Sequence, residues 1–458
     1  MANQAHKTRA VKAAASLPVI NPHAAGIDVG STKMFVCVPP DSCPEPIGIY
    51  DTFTQDLQAL SAWLKECDVR TVAMESTGVY WIPLFQILEH AGFEVILVNP
   101  NYAKKPRKTD VEDCQWLQYL HAVGLLTPSY RPAQQVCAVR SIMRQRSRHV
   151  KQAAAHILHM QKALTEMNLL LHNVISDITG VTGLAIIDAI LAGERNPHKL
   201  AQLRHGGIKA TPDEIAKSLV GDYRHEHLFA LKQAREVFSF CHTQMAECDA
   251  EIAGMLAQFD SRIDPDQHPI PKSRTSCATP RKNEMTLAGN DMRTEMYRIL
   301  GVDLTQVPGL GALTVHGLFC EIGNDLSAFA SAGHFASWLG LCPDHRISGG
   351  KVLSKTTRRV KSRSATLLRV SAQALARSQS YLGGFYRRMK SRFGPVSANT
   401  ATAHKLARII YHMLTTKQPY DESKFDSIEK RFNEKRIQKL QKDAQYLGFK
   451  CVQLELVS

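Results

Sequence analysis

Between residues 24 and 124, short apolar runs alternate with longer segments in which hydrophobic positions recur every three or four residues. AGIDVG, KMFVCVPP and IGIYDTF predict three strands, with Pro39, Pro40 and Pro44 marking turns between them. DLQALSAWLKEC predicts an amphipathic helix, VRTVAME a buried strand and VYWIPLFQILEHAG a helix stopped at glycine. FEVILVNP then predicts a strand and DVEDCQWLQYLHAVG a closing helix. From Pro132 to about Leu171 the pattern is purely helical, with no glycine and no further proline. Apolar Ile142, Met143, Val150, Ala154, Ile157 and Leu158 occupy one side, while Arg140, Arg144, Arg148 and Lys151 form a basic stripe at i, i+4, i+8 and i+11. Such a helix predicts a coiled coil or helical hairpin, with a second helix from about His225 to Leu256 as antiparallel partner. An ordinary helical bundle is the competing arrangement.

The order βββαβαβα is that of a ribonuclease-H-like α/β domain, spanning residues 23–130. Residues 131–260 form a helical or coiled-coil region, and 261–295, rich in Pro, Ser, Thr and Lys, a linker or exposed insertion. Residues 296–421 predict a mainly helical C-terminal domain, and 422–458 a charged helical tail. Residues 1–22 read as a disordered basic arm without the apolar stretch of a signal peptide. ISDITGVTGLAIIDAIL and VDLTQVPGLGALTVHGLF share a hydrophobe–turn–Gly–helix layout. That layout suggests a helix-hairpin-helix-like element offering backbone N–H groups to phosphate, against the alternative of a plain αα turn.

Composition narrows the function classes. No apolar run approaches a membrane span, and the eleven cysteines show no zinc-ligand spacing, so a reduced cytoplasmic protein is expected. The net charge of +14 is segregated. Between His345 and Tyr420 there are sixteen Lys or Arg and no acid; between Cys114 and Thr165 there are seven and again no acid. The rest of the chain is net −9. Long acid-free basic stretches are the footprint of a polyphosphate partner, against the blander reading of solvated helix faces.

Four carboxylates come in a set order: Asp28 in GIDVGSTK, Glu75 in VAMESTG, and Asp110 and Asp113 in KTDVED. The first two sit at strand ends; the last two, three residues apart, share a helix face. Carboxylates so placed can converge on hard divalent cations, as in two-metal phosphodiester chemistry. Taken singly, Asp28 would close a turn with Gly30 and Asp110 would cap a helix. Thr109 is expected to cap the Asp110 helix, Glu112 to face solvent, and Tyr80 and Trp81 to be core residues. Farther on, Ser348 precedes Gly349 and Gly350 in a turn, followed by a basic loop with Lys351, Lys355, Arg358 and Arg359 that could neutralise phosphate charge.

Together GIDVGS, MESTGVYW, VNP…KKPRKTDVEDCQWL, QVPGLG, FASWLGLCP and RISGGK resemble the insertion-sequence 110 family of transposases, over roughly residues 24–420. The resemblance implies a DEDD-type RuvC-like domain joined to a C-terminal serine transposase domain. It implies Asp28, Glu75, Asp110 and Asp113 as the acidic tetrad, holding two Mg²⁺ ions that Mn²⁺ can replace, and Ser348 as nucleophile. It further implies a seryl–DNA intermediate, a structured guide RNA, and element-end and target DNA as partners. Strand exchange at two DNA sites calls for a homo-oligomer, a dimer or tetramer. Arg140, Arg144, Arg148, Lys351, Lys355, Arg358 and Arg359 are the expected nucleic-acid contacts. The rival readings are a RuvC-like nuclease using metal-activated water, and a non-catalytic nucleic-acid-binding protein.

Overall fold

The computed structural model describes residues 17–76, 78–99, 109–272, 285, 287, 291–354, 356–358, 360 and 362–451. It divides into two compact units, residues 1–131 and 132–458. No helix among the described residues is long and apolar enough to cross a membrane.

The first unit holds a five-stranded sheet. Its strands are β1 (Ala24–Val29), β2 (Lys33–Cys37), β3 (Ile47–Asp51), β4 (Thr71–Glu75) and β5 (Glu94–Val98), in the spatial order β3-β2-β1-β4-β5. β1, β2 and β3 form an antiparallel meander, whereas β1–β4 and β4–β5 are parallel. The parallel pairs are joined through α1 (Thr54–Glu66) and α2 (Trp81–His90), and the unit closes with α3 (Asp110–Ala122). This matches the element order expected from the sequence and is consistent with a ribonuclease-H-like fold.

Strand alternation sorts the residues by face. Ala25, Ile27, Val29, Val72 and Met74 pack with Leu57, Leu60 and Leu64 of α1 and Leu84, Phe85 and Leu88 of α2 in one apolar core. The opposite face takes α3. Ile20 and Asn21, counted with the disordered arm in the sequence reading, instead tie down the end of α3. Their backbone N–H groups donate to the Ala122 carbonyl at 2.8 and 2.9 Å, and Asn21 Nδ2 donates to the His121 carbonyl at 2.8 Å. Residues 1–16 lie outside the described residues.

The second unit is mostly helical. α4 (Gln134–Glu166) ends sooner than the sequence suggested, because the chain turns through Asn168 at φ 57°. α5 (Leu171–Val174), α6 (Val181–Leu191), α7 (Pro197–Ala201) and α8 (Pro212–Ser218) then lead to α9 (His225–Ala257). α9 packs antiparallel on α4: Arg146 pairs with Asp249 at one end, and Glu166 with His227 at the other. The buried side of α4 includes Val139, Arg146, Ala153 and Met160, a seven-residue spacing that places an arginine in an otherwise apolar seam. Arg146 donates through Nε and Nη2 to the two Asp249 oxygens, so this buried charge is matched in both number and geometry.

Beyond it lie α10 (Met292–Leu300), α11 (Ala312–Ile322), α12 (Ala332–Trp338), α13 (Arg363–Ala374), α14 (Tyr381–Thr416) and α15 (Asp426–Tyr446). α10 begins inside the segment read as a linker, with Asp291 accepting from Thr294 N at 2.7 Å as its cap. The basic loop expected after Gly350 begins instead as a strand. β6 (Arg346–Ser348) and β7 (Lys351–Ser354) form an antiparallel hairpin, which a pattern of isolated basic and apolar residues did not announce.

The two helix-hairpin-helix-like segments share a local turn. Asp177 Oδ1 accepts from Thr179 N and Oγ1, and Asp303 Oδ1 does the same with Thr305. The glycine at the second turn, Gly309 (φ 88°), is pressed against α13, where a Cβ would stand 2.9 Å from the Ser371 carbonyl oxygen. Left-handed backbone and close packing against α13 together account for that glycine.

Candidate active site

The position of α3 is set by Gly26. A Cβ there would stand 2.6 Å from the Cys114 carbonyl oxygen and 2.8 Å from Gln118 Cα, so the helix backbone lies directly on β1. Gln118 Nε2 donates to the Ala24 carbonyl at 3.2 Å, and His121 Nε2 meets Thr71 Oγ1 at 2.9 Å. Later helix residues thus face earlier strand residues, and α3 runs antiparallel to β1 and β4. Its first turn, with Asp110 and Asp113, lies toward the C-terminal ends of those strands.

Asp28 and Glu75 are at those ends. The parallel register pairs Gly26 with Ala73 and Ile27 with Met74, so the next position on each strand is Asp28 and Glu75. Both share the face of Gly26 and Thr71, the face that carries α3. The four acids therefore gather at one end of one sheet face. Glu75 and Asp113 are buried, Asp28 is half-buried and Asp110 is exposed. The Cys114 thiol is pushed up to about 12 by burial, then by the neighbouring Cys37 and Asp28, which places the β1 acid close to the residue after Asp113.

Thr109 caps α3 by accepting from Glu112 N at 3.2 Å, and Glu112 is exposed. The N-terminal end of the helix dipole favours these first-turn acids. Trp81 packs edge-on against Phe85 at 5.6 Å, whereas Tyr80 is exposed and not a core residue. Among the described residues, no three Asp, Glu, His or Cys side chains form a ready-made metal cage. The donor set is nevertheless entirely carboxylate oxygen, the chemistry that suits Mg²⁺ or Mn²⁺ and not soft metals.

In the second unit, Ser348 ends β6 at the tip of the hairpin and is exposed. Gly349 and Gly350 have φ 54° and 74°, the pair of positive values characteristic of a two-residue type I′ turn. Nothing lies within 4 Å of a Cβ built on either glycine, so backbone conformation is what selects them. Ser348 pairs with Lys351 across the ladder, which puts both side chains on the same face of the hairpin.

Two family profiles match this chain. One, the DEDD transposase of IS110, covers residues 25–169 and includes all four acids. The other, described as transposase IS116/IS110/IS902 family, covers residues 303–387 and includes Ser348.

The chain belongs to the IS110 family of transposases.

No curated protein matches it. The two matched stretches are narrower than the span of the sequence resemblance, and residues 1–24, 170–302 and 388–458 lie outside them. In this IS110-family chain, the residues expected to touch nucleic acid divide into engaged and accessible groups. Arg144 donates to both Glu321 oxygens at 2.9 Å and so ties α4 to α11. Arg358 donates to the Ser337 carbonyl at 2.7 Å, capping the end of α12. Arg140 donates to Cys137 Sγ at 3.2 Å and is half-buried. Arg148, Lys151 and Lys351 are exposed. Lys355 and Arg359 lie outside the described residues.

Sequence reading overlooked Arg146. Its seven-residue spacing from Val139 and Ala153 was the available signal, hidden because the residue sits among other arginines. It also overlooked His316 on α11. That imidazole is fully buried and held near pKa 4, chiefly by burial and secondarily by Arg146.

Proposed function

We propose that this transposase cuts and rejoins DNA through Ser348, with divalent metal held by Asp28, Glu75, Asp110 and Asp113, and that a structured RNA guides it. The supporting observation is the convergence in register of Asp28 and Glu75 beneath the first turn of α3. The exposed Ser348 at the hairpin tip supplies the nucleophile. Mg²⁺ bound by the four carboxylates would offset charge on the scissile phosphate and lower the barrier to phosphoryl transfer.

Ser348 gives up its hydroxyl proton and Oγ bonds to phosphorus. The phosphorus–oxygen bond to one deoxyribose breaks, and that oxygen takes up a proton. Lys351, on the same hairpin face, lowers the cost of the developing alkoxide. Rejoining reverses the step: a deoxyribose hydroxyl attacks the seryl phosphodiester, and Ser348 leaves with its proton restored. The ester conserves the bond energy, so no external high-energy cofactor is required. Paired strand exchange needs several such centres, which a homo-oligomer provides. RNA guidance rests on the family resemblance and on the basic surplus, which RNA and DNA would share.

The test is to incubate the protein, RNA from the flanking element and element-junction DNA with Mg²⁺, then seek a denaturation-resistant protein–DNA adduct. The expected adduct is absent in both Ser348→Ala and Asp28→Ala. Cleaved DNA without adduct, persisting in Ser348→Ala, would replace the serine mechanism with that of a metal-dependent nuclease. Omitting the RNA should abolish the adduct; an undiminished yield would remove RNA guidance.

A further inference from the structure

α14 spans 36 residues, but Gly394 within it has φ 82° and ψ 170°, and Pro395 follows. Lys405 Nζ lies 4.5 Å from the Tyr381 ring centroid and 4.6 Å from that of Phe385, and donates to Tyr381 Oη at 2.6 Å. In a straight helix, positions 381 and 405 would be about 36 Å apart. The two halves therefore fold back on each other at Gly394, and residues 393–396 are the apex of a helical hairpin.

That apex is apolar and exposed. Phe393 is 55% accessible and Val396 79%, although both are large hydrophobic side chains. Cations border it. Lys390 and Arg392 are exposed, and neither makes an ion pair among the described residues. The Arg392 guanidinium lies 4.9 Å from the Phe393 ring centroid. Two other nearby arginines are engaged inside the fold: Arg387 donates to the Ser378 carbonyl at 2.6 Å, and Arg388 stacks on Phe432 at 4.5 Å. No acid occurs anywhere between His345 and Tyr420. A second copy placed against this tip would bring like charge to like. A stacked, polyanionic duplex offers what the tip lacks, phosphates for the cations and base planes for the ring. The apex lies beyond residue 387, outside both matched segments.

We propose that the α14 apex is a wedge. It inserts Phe393, with Val396 behind it, between adjacent base pairs of duplex DNA bound by this chain, while Lys390 and Arg392 hold the flanking phosphates. This rests on the reading of the protein as one that acts on DNA. Insertion of an apolar side chain unstacks one step and kinks the duplex. Pyrimidine–purine steps open most readily, so the wedge favours them.

The experiment uses full-length protein and three duplexes of about 30 base pairs. One carries 2-aminopurine at a central TpA step, one carries it within an A-tract, and the third has a two-nucleotide bulge. Wild type should raise the 2-aminopurine fluorescence at TpA more than in the A-tract. It should also bind the bulged duplex roughly tenfold more tightly, the preference that about 1.4 kcal/mol of unstacking already supplied by the bulge would give. Phe393→Ala should lose both effects while keeping salt-dependent binding to matched DNA, and Phe393→Leu, still apolar, should keep part of both. Because Phe393 is exposed, neither substitution removes core packing. Salt-dependent binding by wild type with no fluorescence rise and no bulge preference would overturn the wedge and leave the DNA reading standing. Absence of salt-dependent DNA binding both with and without the element RNA would overturn both. A change of oligomeric state in Phe393→Ala, with fluorescence unaltered, would make the apex a self-association surface and overturn the wedge.

Discussion

Replacing Gly26 by alanine tests whether the placement of α3, and not just the presence of four acids, underlies activity. The added Cβ would stand 2.6 Å from the Cys114 carbonyl oxygen and closer still to Gln118 N, where ordinary contact begins at 3.4 Å. Relief of the closest contact, 2.2 Å to Gln118 N, requires α3 to move by about 1.2 Å, since β1 lies in the middle of the sheet with β2 and β4 on either side. Overpacking of this kind costs about 1–3 kcal/mol of stability. Its effect on chemistry should be larger, because Asp113 immediately precedes Cys114 and moves with it. A displacement near 1 Å in a reacting constellation can cost about 10²-fold in rate. The assay pairs urea denaturation with the rate of protein–DNA adduct formation per folded molecule at saturating Mg²⁺. Ile27→Val is the control: it trims the opposite face of the same strand, costs about 0.5–1.5 kcal/mol, and should leave the rate per folded molecule unchanged. A wild-type rate in Gly26→Ala, or equal losses in both variants, would refute the argument that α3 positions its acids against those of the strands.

Three further outcomes follow from the geometry. Asp249→Ala leaves the Arg146 guanidinium buried without its carboxylate and should cost about 3–5 kcal/mol by urea unfolding, whereas Arg146→Met with Asp249→Leu should recover most of the loss. His316 and His121 are each held near pKa 4 by burial, below the ordinary 6.5 of an unfolded chain. Between these values the unfolded state binds more protons, so stability should be complete above about pH 6.5 and fall as pH drops toward 4; His316→Leu should flatten part of that slope in pH-dependent urea midpoints. Gly349→Val places a β-branched residue at φ 54° and should abolish the adduct with the global unfolding midpoint within about 0.5 kcal/mol of wild type, while Gly349→Asn should retain adduct formation.

The first unit was legible because its signals are local. Short apolar runs became strands, and Glu75 and Asp110 were placed correctly at a strand end and a helix start. The face shared by Asp28 and Glu75 also follows from alternation once the register is known. The register itself depends on partners far apart in sequence, as does the contact of α3 with Gly26. Ser348 was singled out correctly as a turn residue before two glycines, yet the hairpin around it went unseen. Its strands have three and four residues and, among the described side chains, none is buried, so no hydrophobic alternation marks them. The α14 reversal did carry a signal in Gly394-Pro395, but that its two halves pack on each other depends on a contact between residues 381 and 405, far apart in sequence.

The charge distribution assigns the two units different tasks in handling DNA. Residues 1–131, which carry the acidic tetrad, contain 11 basic and 13 acidic residues, a net charge of −2. Residues 132–458, with Ser348, contain 45 basic and 29 acidic residues, a net charge of +16. Phosphate attraction therefore belongs to the second unit, and affinity for DNA should fall with salt largely through its lysines and arginines. The sheet end of the first unit repels phosphate until cations offset its carboxylates. If the acids act as proposed, such a protein would bind nucleic acid without metal but would not bring a scissile phosphate to the acids without it. Under the proposed mechanism, binding and cutting would then be separable by Mg²⁺, which would give strand cleavage a control that the electrostatics of binding alone would not supply.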